Sequence, residues 1–263
     1  MSAIGVAVGG LVAVGAGAWG ASAVPLLYAA AAAALSTAGG NALNDLFDRE
    51  TDRVNHPDRP LVAGTVTVPE ARNFTVTMFL VAAILGALAS PFCLVIVLVN
   101  AGLMYAYEAG LKRRGAPGNL VIAYLVGSLF LFAGTAVFRG DPAPLVSTGV
   151  LALLAFLTTV GREITKDIED MTGDVDRRTL PRRIGAVPAG RVAATALGLG
   201  VLLSVVPWYA GVLGWAYAPV VLVADGMFIY AAFYSAANPS GSQRVTKYAM
   251  VVALVAFLAG ALL

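Results

Sequence analysis

The strongest constraint on this chain is a succession of nine apolar stretches, each about 17 to 25 residues long, the length a helix needs to cross a bilayer. They fall at 3–20, 24–43, 70–89, 91–109, 119–138, 144–162, 190–209, 212–234 and 244–263. Only 12% of the 263 residues are charged and 59% are hydrophobic, too little charge to cover a water-soluble domain of this size. Glycine and alanine recur within the stretches, as expected where helices in lipid approach closely. The expected fold class is therefore all-α: a polytopic membrane protein of nine transmembrane helices, forming one domain over residues 1–263. Met1 to Gly20 resembles a signal peptide, with Ala21-Ser22-Ala23 as a cleavage-like site. It lacks a basic leading region and precedes eight further spans, so it reads as the first membrane helix.

Charge is distributed to one side. Every Lys and Arg except Arg139 lies at or near the segments that follow stretches two, four, six and eight. By the positive-inside rule those segments and the N-terminus face the cytoplasm, and the C-terminus lies outside a cell membrane. All the carboxylate clusters share that face. A net charge of +2, with the basic residues confined to loops, gives no reason to expect a nucleic-acid partner. The single cysteine, Cys93, excludes an internal disulfide or a cysteine metal cage, and the single histidine, His56, leaves no material for HExxH or Ser-His chemistry. Nothing in these patterns sets an oligomeric state.

The segment 41–64, NALNDLFDRETDRVNHPDRPLVAG, places carboxylates directly after an almost purely apolar run. At 100° per residue, Asn41, Asn44, Asp45, Asp48 and Asp52 occupy one helical stripe roughly 100° wide. The segment 162–174, REITKDIEDMTGD, repeats the pattern: Glu163, Lys166, Asp167, Asp170 and Asp174 each lie 122 residues after the corresponding member of the first set. Gly173 could end that helix early and leave Asp174 on the loop. Downstream, RPLVAGTVTVPEAR (59–72) and PRRIGAVPAGR (181–191) both run from a Pro/Arg turn through glycine to Val-Pro and a new apolar helix. Two such half-sites suggest an internal repeat around one central cavity.

A rim of aspartates is self-repelling: like charges about 6 Å apart, at an effective dielectric near 20, repel by roughly 3 kcal/mol per pair. Cations or protons must relieve it. Carboxylates with carboxamide help are hard oxygen ligands suited to Mg²⁺ bridging to phosphate oxygens. The neighbouring Arg53, Arg59, Lys112, Arg113, Arg114 and Lys166 fit a phosphorylated ligand. The alternative, a solvated loop after a membrane helix, does not account for the one-face alignment or its repetition.

At these residues the chain resembles the UbiA superfamily of intramembrane prenyltransferases. Asn44-Asp45-x-x-Asp48-x-x-x-Asp52 and Asp167-x-x-Asp170-x-x-x-Asp174 are similar to its two aspartate-rich motifs. KDIEDMTGDVDRRTLPRRIG and YAYEAGLKRRGAPGN are most like the archaeal ether-lipid branch. The resemblance implies a UbiA-like fold and transfer of a geranylgeranyl group from geranylgeranyl diphosphate to geranylgeranylglyceryl phosphate, with release of diphosphate. It also implies two Mg²⁺ ions, one held by Asn44 and Asp48 with Asp45 or Asp52 nearby, the other by Asp167, Asp170 and Asp174. The partners would be an isoprenoid diphosphate donor and a lipid acceptor. Members often carry an arginine-containing segment before the first helix, whereas this sequence is apolar from Met1-Ser2-Ala3 onward.

An allylic diphosphate ionises when its leaving group is neutralised in a dry cavity, and Asp48 and Asp170 are the expected centres of that task. Lys112, Arg59 and Lys166 would stabilise the departing diphosphate, with Asn41, Arg53 and Arg113 on the substrate rim. Tyr105 and Tyr107 would face the allylic cation or form the interfacial aromatic belt. Asn119 would orient a phosphate or cap a helix. Arg244 and Lys247, and likewise Arg182 and Arg183, would bind an acceptor phosphate or act as plain positive anchors. Asp225, within an apolar stretch, calls for a structural hydrogen-bond partner rather than catalysis. The rival readings are a prenyltransferase for an aromatic or quinone precursor and, from another class, a transporter. A transporter needs polar groups at the midplane and access from both sides.

Overall fold

The computed structural model describes residues 1–172 and 178–263, all of them in helices, turns and short connections. The long helices are α1 (Ser2–Asn55), α3 (Val68–Ala89), α4 (Pro91–Ala109), α5 (Ala116–Val137), α6 (Ala143–Glu169), α8 (Ala186–Leu203), α10 (Tyr217–Tyr234) and α11 (Pro239–Leu262). Short helices α2 (Pro60–Ala63), α7 (Leu180–Ile184) and α9 (Val206–Tyr209) lie between them. Among the described residues eight helices are long and apolar enough to cross a membrane.

The first of the eight stands where the sequence suggests two. Its helical path is broken at Gly15, whose φ of 70° and ψ of 164° suit a residue without Cβ. The chain folds back there, so that Leu26 fills the space beside Gly10 and the Thr37 hydroxyl donates to Ser2 Oγ at 2.9 Å. The reversal expected near residues 21–23 thus occurs earlier, because glycine rather than the Ala-Ser-Ala triplet supplies the conformation. The N-terminus consequently sits at the end of the bundle toward which the carboxylate stripe runs. Helix α11 starts at that same end, where Gln243 Nε2 donates to Glu169 Oε2 at 2.7 Å, and carries the C-terminus to the opposite one.

The packing follows the small residues. Helix α5 lies against α1 on one side and α6 on the other. One apolar cluster joins Val6, Ala29 and Ala32 of α1 to Cys93 and Phe132, and another joins Val8 and Phe130 to Leu151, Tyr217 and Phe257. Asp225 has the partner its burial demands: Ser204 Oγ donates to its Oδ2 at 2.7 Å, and Tyr217 OH donates to the Ser204 carbonyl at 2.7 Å.

The sequence repeat has a structural counterpart. After each acidic segment comes a one-turn helix with proline in its first turn, α2 and α7. Each ends at a glycine with positive φ, Gly64 at 77° and Gly185 at 90°. Each then leads into a long helix, α3 or α8.

Candidate active site

The first acidic segment is helical through Asn55, so the stripe read from periodicity exists as a face of α1. Its members are not left as bare carboxylates. Arg59, at the start of α2, donates Nη1 to Asp45 Oδ1 and to Asp52 Oδ2, both at 2.7 Å. Asp45 and Asp52 are seven residues apart, two helical turns, so one guanidinium reaches both. Asp52 is buried, its side chain only 6% exposed, and this charge-assisted pair satisfies it.

Asp48 lies in a second group. Lys112 Nζ sits 2.5 Å from Asp48 Oδ2 and 3.1 Å from Glu108 Oε2. Asn44 Nδ2 donates to both acids, at 2.9 Å to Asp48 Oδ2 and 3.0 Å to Glu108 Oε1. Two carboxylates, one ammonium and one carboxamide thus form a closed polar knot between α1 and the end of α4. Glu108 is the member that the sequence reading missed. Its signal was its place four residues before Lys112 on a helix end, a spacing that brings the two side chains together.

The second acidic segment continues α6 through Glu169 and tightens into a 3₁₀ turn at Asp170–Thr172. Asn119, buried in the first turn of α5, donates Nδ2 to Asp167 Oδ2 at 2.8 Å. It therefore serves the acidic segment rather than capping its own helix, whose capping position is Gly115. Asp167 and Asp170 make further interactions, Lys166 is exposed, and Asp174 lies outside the described residues. Glu163, the first member of the repeated stripe, is buried against Arg162, Nη1 to Oε1 at 2.6 Å.

The α4–α5 turn joins the two halves. Residues 111–113 form a 3₁₀ turn from which Lys112 reaches the first acidic segment, while Asn119 seven residues later reaches the second. The Arg113 carbonyl accepts from the Arg178 backbone N–H at 3.0 Å, fastening the chain just beyond the second segment to the same turn. The structure thus gathers the predicted residues of α1 into two groups, Asp45 and Asp52 around Arg59, and Asn44 and Asp48 around Lys112, and sets Asp167 beside Asn119.

Other predicted residues lie apart from it. Arg53 pairs with Glu50 at 2.6 Å on an exposed face of α1. Tyr105 packs edge-on against Phe47, ring centroids 5.8 Å apart, and is 59% exposed, which suits the belt position. Tyr107 lies against Gly118 at the start of α5, on the side of the turn. Asn41, Arg113, Arg182, Arg183 and Arg244 are exposed, and Lys247 lines an apolar cavity described below.

Among the described residues no three His, Cys, Asp or Glu side chains converge into a closed metal cage. The donor set nevertheless fits Mg²⁺, which takes one or two carboxylates and completes its octahedron with water and substrate phosphate. Asn44 with Asp48, Asp45 with Asp52, and Asp167 with Asp170 carry such oxygens.

Comparison with known proteins identifies the family and the fold. Residues 2–262 match the UbiA prenyltransferase family. Digeranylgeranylglyceryl phosphate synthase of Methanopyrus kandleri is 41% identical over 268 residues, covering 100% of this chain and 95% of that protein. The enzyme of the same name from Halobacterium salinarum is 40% identical, covering 87% of this chain and 82% of its own. A solved structure of digeranylgeranylglyceryl phosphate synthase superposes with a TM-score of 0.84 at 30% identity, covering 99% of this chain and 92% of that one. The apo structure of a UbiA homolog from Aeropyrum pernix K1 shares the fold, with a TM-score of 0.80 at 18% identity over 98% of this chain. A bundle of membrane-length helices that gathers two acidic segments at one end, matched over nearly its whole length, belongs to the UbiA prenyltransferase family: this chain is a membrane-embedded prenyltransferase.

Proposed function

We propose that this enzyme transfers a geranylgeranyl group from geranylgeranyl diphosphate to geranylgeranylglyceryl phosphate, giving digeranylgeranylglyceryl phosphate and diphosphate in archaeal ether-lipid synthesis. The observation that carries the reading is the α4–α5 turn, which links Asp48 through Lys112 and Asp167 through Asn119 at one end of an apolar bundle. The relatives of that name, about 40% identical across most of the chain, support this choice of substrates. The Lys- and Arg-rich loops at this end support a cytoplasmic position for it.

Asn44, Asp45, Asp48 and Asp52 on one side and Asp167, Asp170 and Asp174 on the other would hold Mg²⁺, which would supply positive charge to the diphosphate and make it a better leaving group. The chain does the rest. Lys112 and Arg59, held by carboxylates at rest, meet the diphosphate oxygens and stabilise the charge that grows as the allylic C–O bond breaks. Lys166, Arg53, Arg113 and Asn41 extend that positive and polar rim, and Asn119 holds Asp167 in place. Tyr107 stands beside the turn, where a ring face would stabilise an allylic cation. The surrounding apolar helices exclude water, so the cation is captured by the acceptor hydroxyl. A new C–O bond forms, and the hydroxyl proton leaves to the diphosphate or to bulk water.

The test is product analysis with the purified protein in lipid vesicles, labelled geranylgeranyl diphosphate and either geranylgeranylglyceryl phosphate or an aromatic acid. Digeranylgeranylglyceryl phosphate should form, stop with EDTA and return with Mg²⁺. Product from the aromatic acid alone, or transfer that survives chelation, would overturn the proposal.

A further inference from the structure

A cavity of about 540 Å³ lies between the N-terminal segment of α1 and helices α5, α6, α8, α10 and α11. Its volume is that of a small-molecule site. Its wall is almost wholly apolar and ends in the ring cluster of Phe130, Tyr217 and Phe257. Asp225, which also lines it, has its carboxylate hydrogen-bonded to Ser204. Two cationic side chains interrupt the apolar surface, Arg162 on α6 and Lys247 on α11.

Their depths are set by neighbouring contacts. Gln243 of α11 is level with Glu169 of α6, because the two side chains hydrogen-bond. Lys247 is one helical turn further into the bundle and Arg162 about two turns, so their attachment points differ by roughly 5 Å along the axis, within the reach of two long side chains. Glu163 holds one edge of the Arg162 guanidinium, leaving its Nε without a partner. Lys247 makes no ion pair among the described residues. An unpartnered guanidinium edge beside an apolar cavity is costly unless an anion joins it, and the exposed Lys247 offers that anion a second positive charge. Neither Arg59 nor Lys112, already engaged with the acidic segments, lines this cavity.

We infer that Arg162 and Lys247 form the anchor for an anionic amphiphile, a phosphate monoester carrying an isoprenoid tail. Its head lies between the two cations and its tail runs toward Tyr217 and Phe257. The inference rests on the proposed reaction and assigns the acceptor's place in it. Arg162 lies about 7.5 Å deeper along α6 than Asp167. A phosphate held there leaves an acceptor hydroxyl two carbons away, free to face the donor carbon beneath the acidic rim. Of the two C-terminal cations expected to bind acceptor, Lys247 lines the cavity and Arg244 does not.

Equilibrium binding in the absence of donor and Mg²⁺ tests this, using radiolabelled geranylgeranylglyceryl phosphate, geranylgeranylglycerol and a dialkyl phosphodiester with the detergent-purified protein. Wild type should prefer the monoester over the alcohol by at least tenfold, and K247Q should lose most of that preference. R162Q should lose it too. Because R162Q also strips buried Glu163 of its partner, K247Q and the rescuing K247R carry the result if R162Q folds poorly. Equal affinity for monoester and alcohol in wild type, or an unchanged preference in K247Q, overturns the inference. So does displacement by the phosphodiester as readily as by the monoester, which would make the site a contact for bulk anionic lipid. Intact monoester binding without product once donor and Mg²⁺ are added would count against the proposed reaction and leave the anchor standing.

Discussion

Removing Lys112 tests the polar knot most directly. Asp48 and Glu108 both accept from Asn44 Nδ2, at 2.9 and 3.0 Å, so their nearest oxygens lie no more than about 6 Å apart. At an effective dielectric near 20, two such charges repel by roughly 3 kcal/mol. The Lys112 ammonium, 13% exposed and in contact with both acids, offsets that repulsion. In K112A the acids face each other alone. Some water enters and the side chains relax, leaving a net loss of about 2 kcal/mol, less than the roughly 3–5 of a fully buried pair. For a chain of this size that lowers the melting temperature by roughly 4–8 °C in metal-free detergent solution. E108Q in the K112A background keeps an acceptor for Asn44 and removes the second charge, so K112A/E108Q should recover at least half of the loss. Mg²⁺ should raise the melting temperature of K112A more than that of wild type, because the ion restores the missing positive charge. The kcat/KM for donor should fall at least tenfold, as expected for loss of one charge-assisted contact. Thermal denaturation with and without Mg²⁺, alongside a transfer assay, reads all of these. A double variant as unstable as K112A would refute the electrostatic account.

Two further predictions concern chemistry and packing. D48A and D170A should each lower transfer by roughly a thousandfold while keeping helical circular dichroism and chromatographic behaviour, Lys112 in D48A keeping its ion pair with Glu108; near-normal turnover in both would refute the acidic-rim assignment. G127A should destabilise the protein by about 1–3 kcal/mol, because a Cβ there would come within 2.7 Å of the Ala152 carbonyl oxygen, backbone of α6 that cannot swing aside as a side chain would; an unchanged melting temperature would refute that close approach of α5 and α6.

The sequence by itself determined whatever follows from local periodicity and composition. Apolar runs of membrane length made the chain an all-helical membrane protein, since lipid leaves backbone groups no partner but their own helix. Spacings of 3, 4, 7 and 11 put Asn44, Asp45, Asp48 and Asp52 on one face of α1 whatever surrounds it. Repetition of that spacing, with a Pro/Arg turn and a glycine after it, suggested an internal repeat, while the one-turn helices α2 and α7 within those turns came only with the structure. Helix ends were less legible: the acidic face reads as helical to about Gly173, whereas α6 ends at Glu169 and tightens into a 3₁₀ turn over Asp170–Thr172.

The tertiary structure decided which charge answers which. Lys112 meets Asp48 across 64 residues and Asn119 meets Asp167 across 48, separations that no helical period encodes. Glu108 joined the site, and Arg162 turned to the cavity, for the same reason: their roles depend on elements packed beside them rather than on neighbours in sequence. Local spacing fixes the face of a helix on which a group stands, but only packing fixes what that face meets.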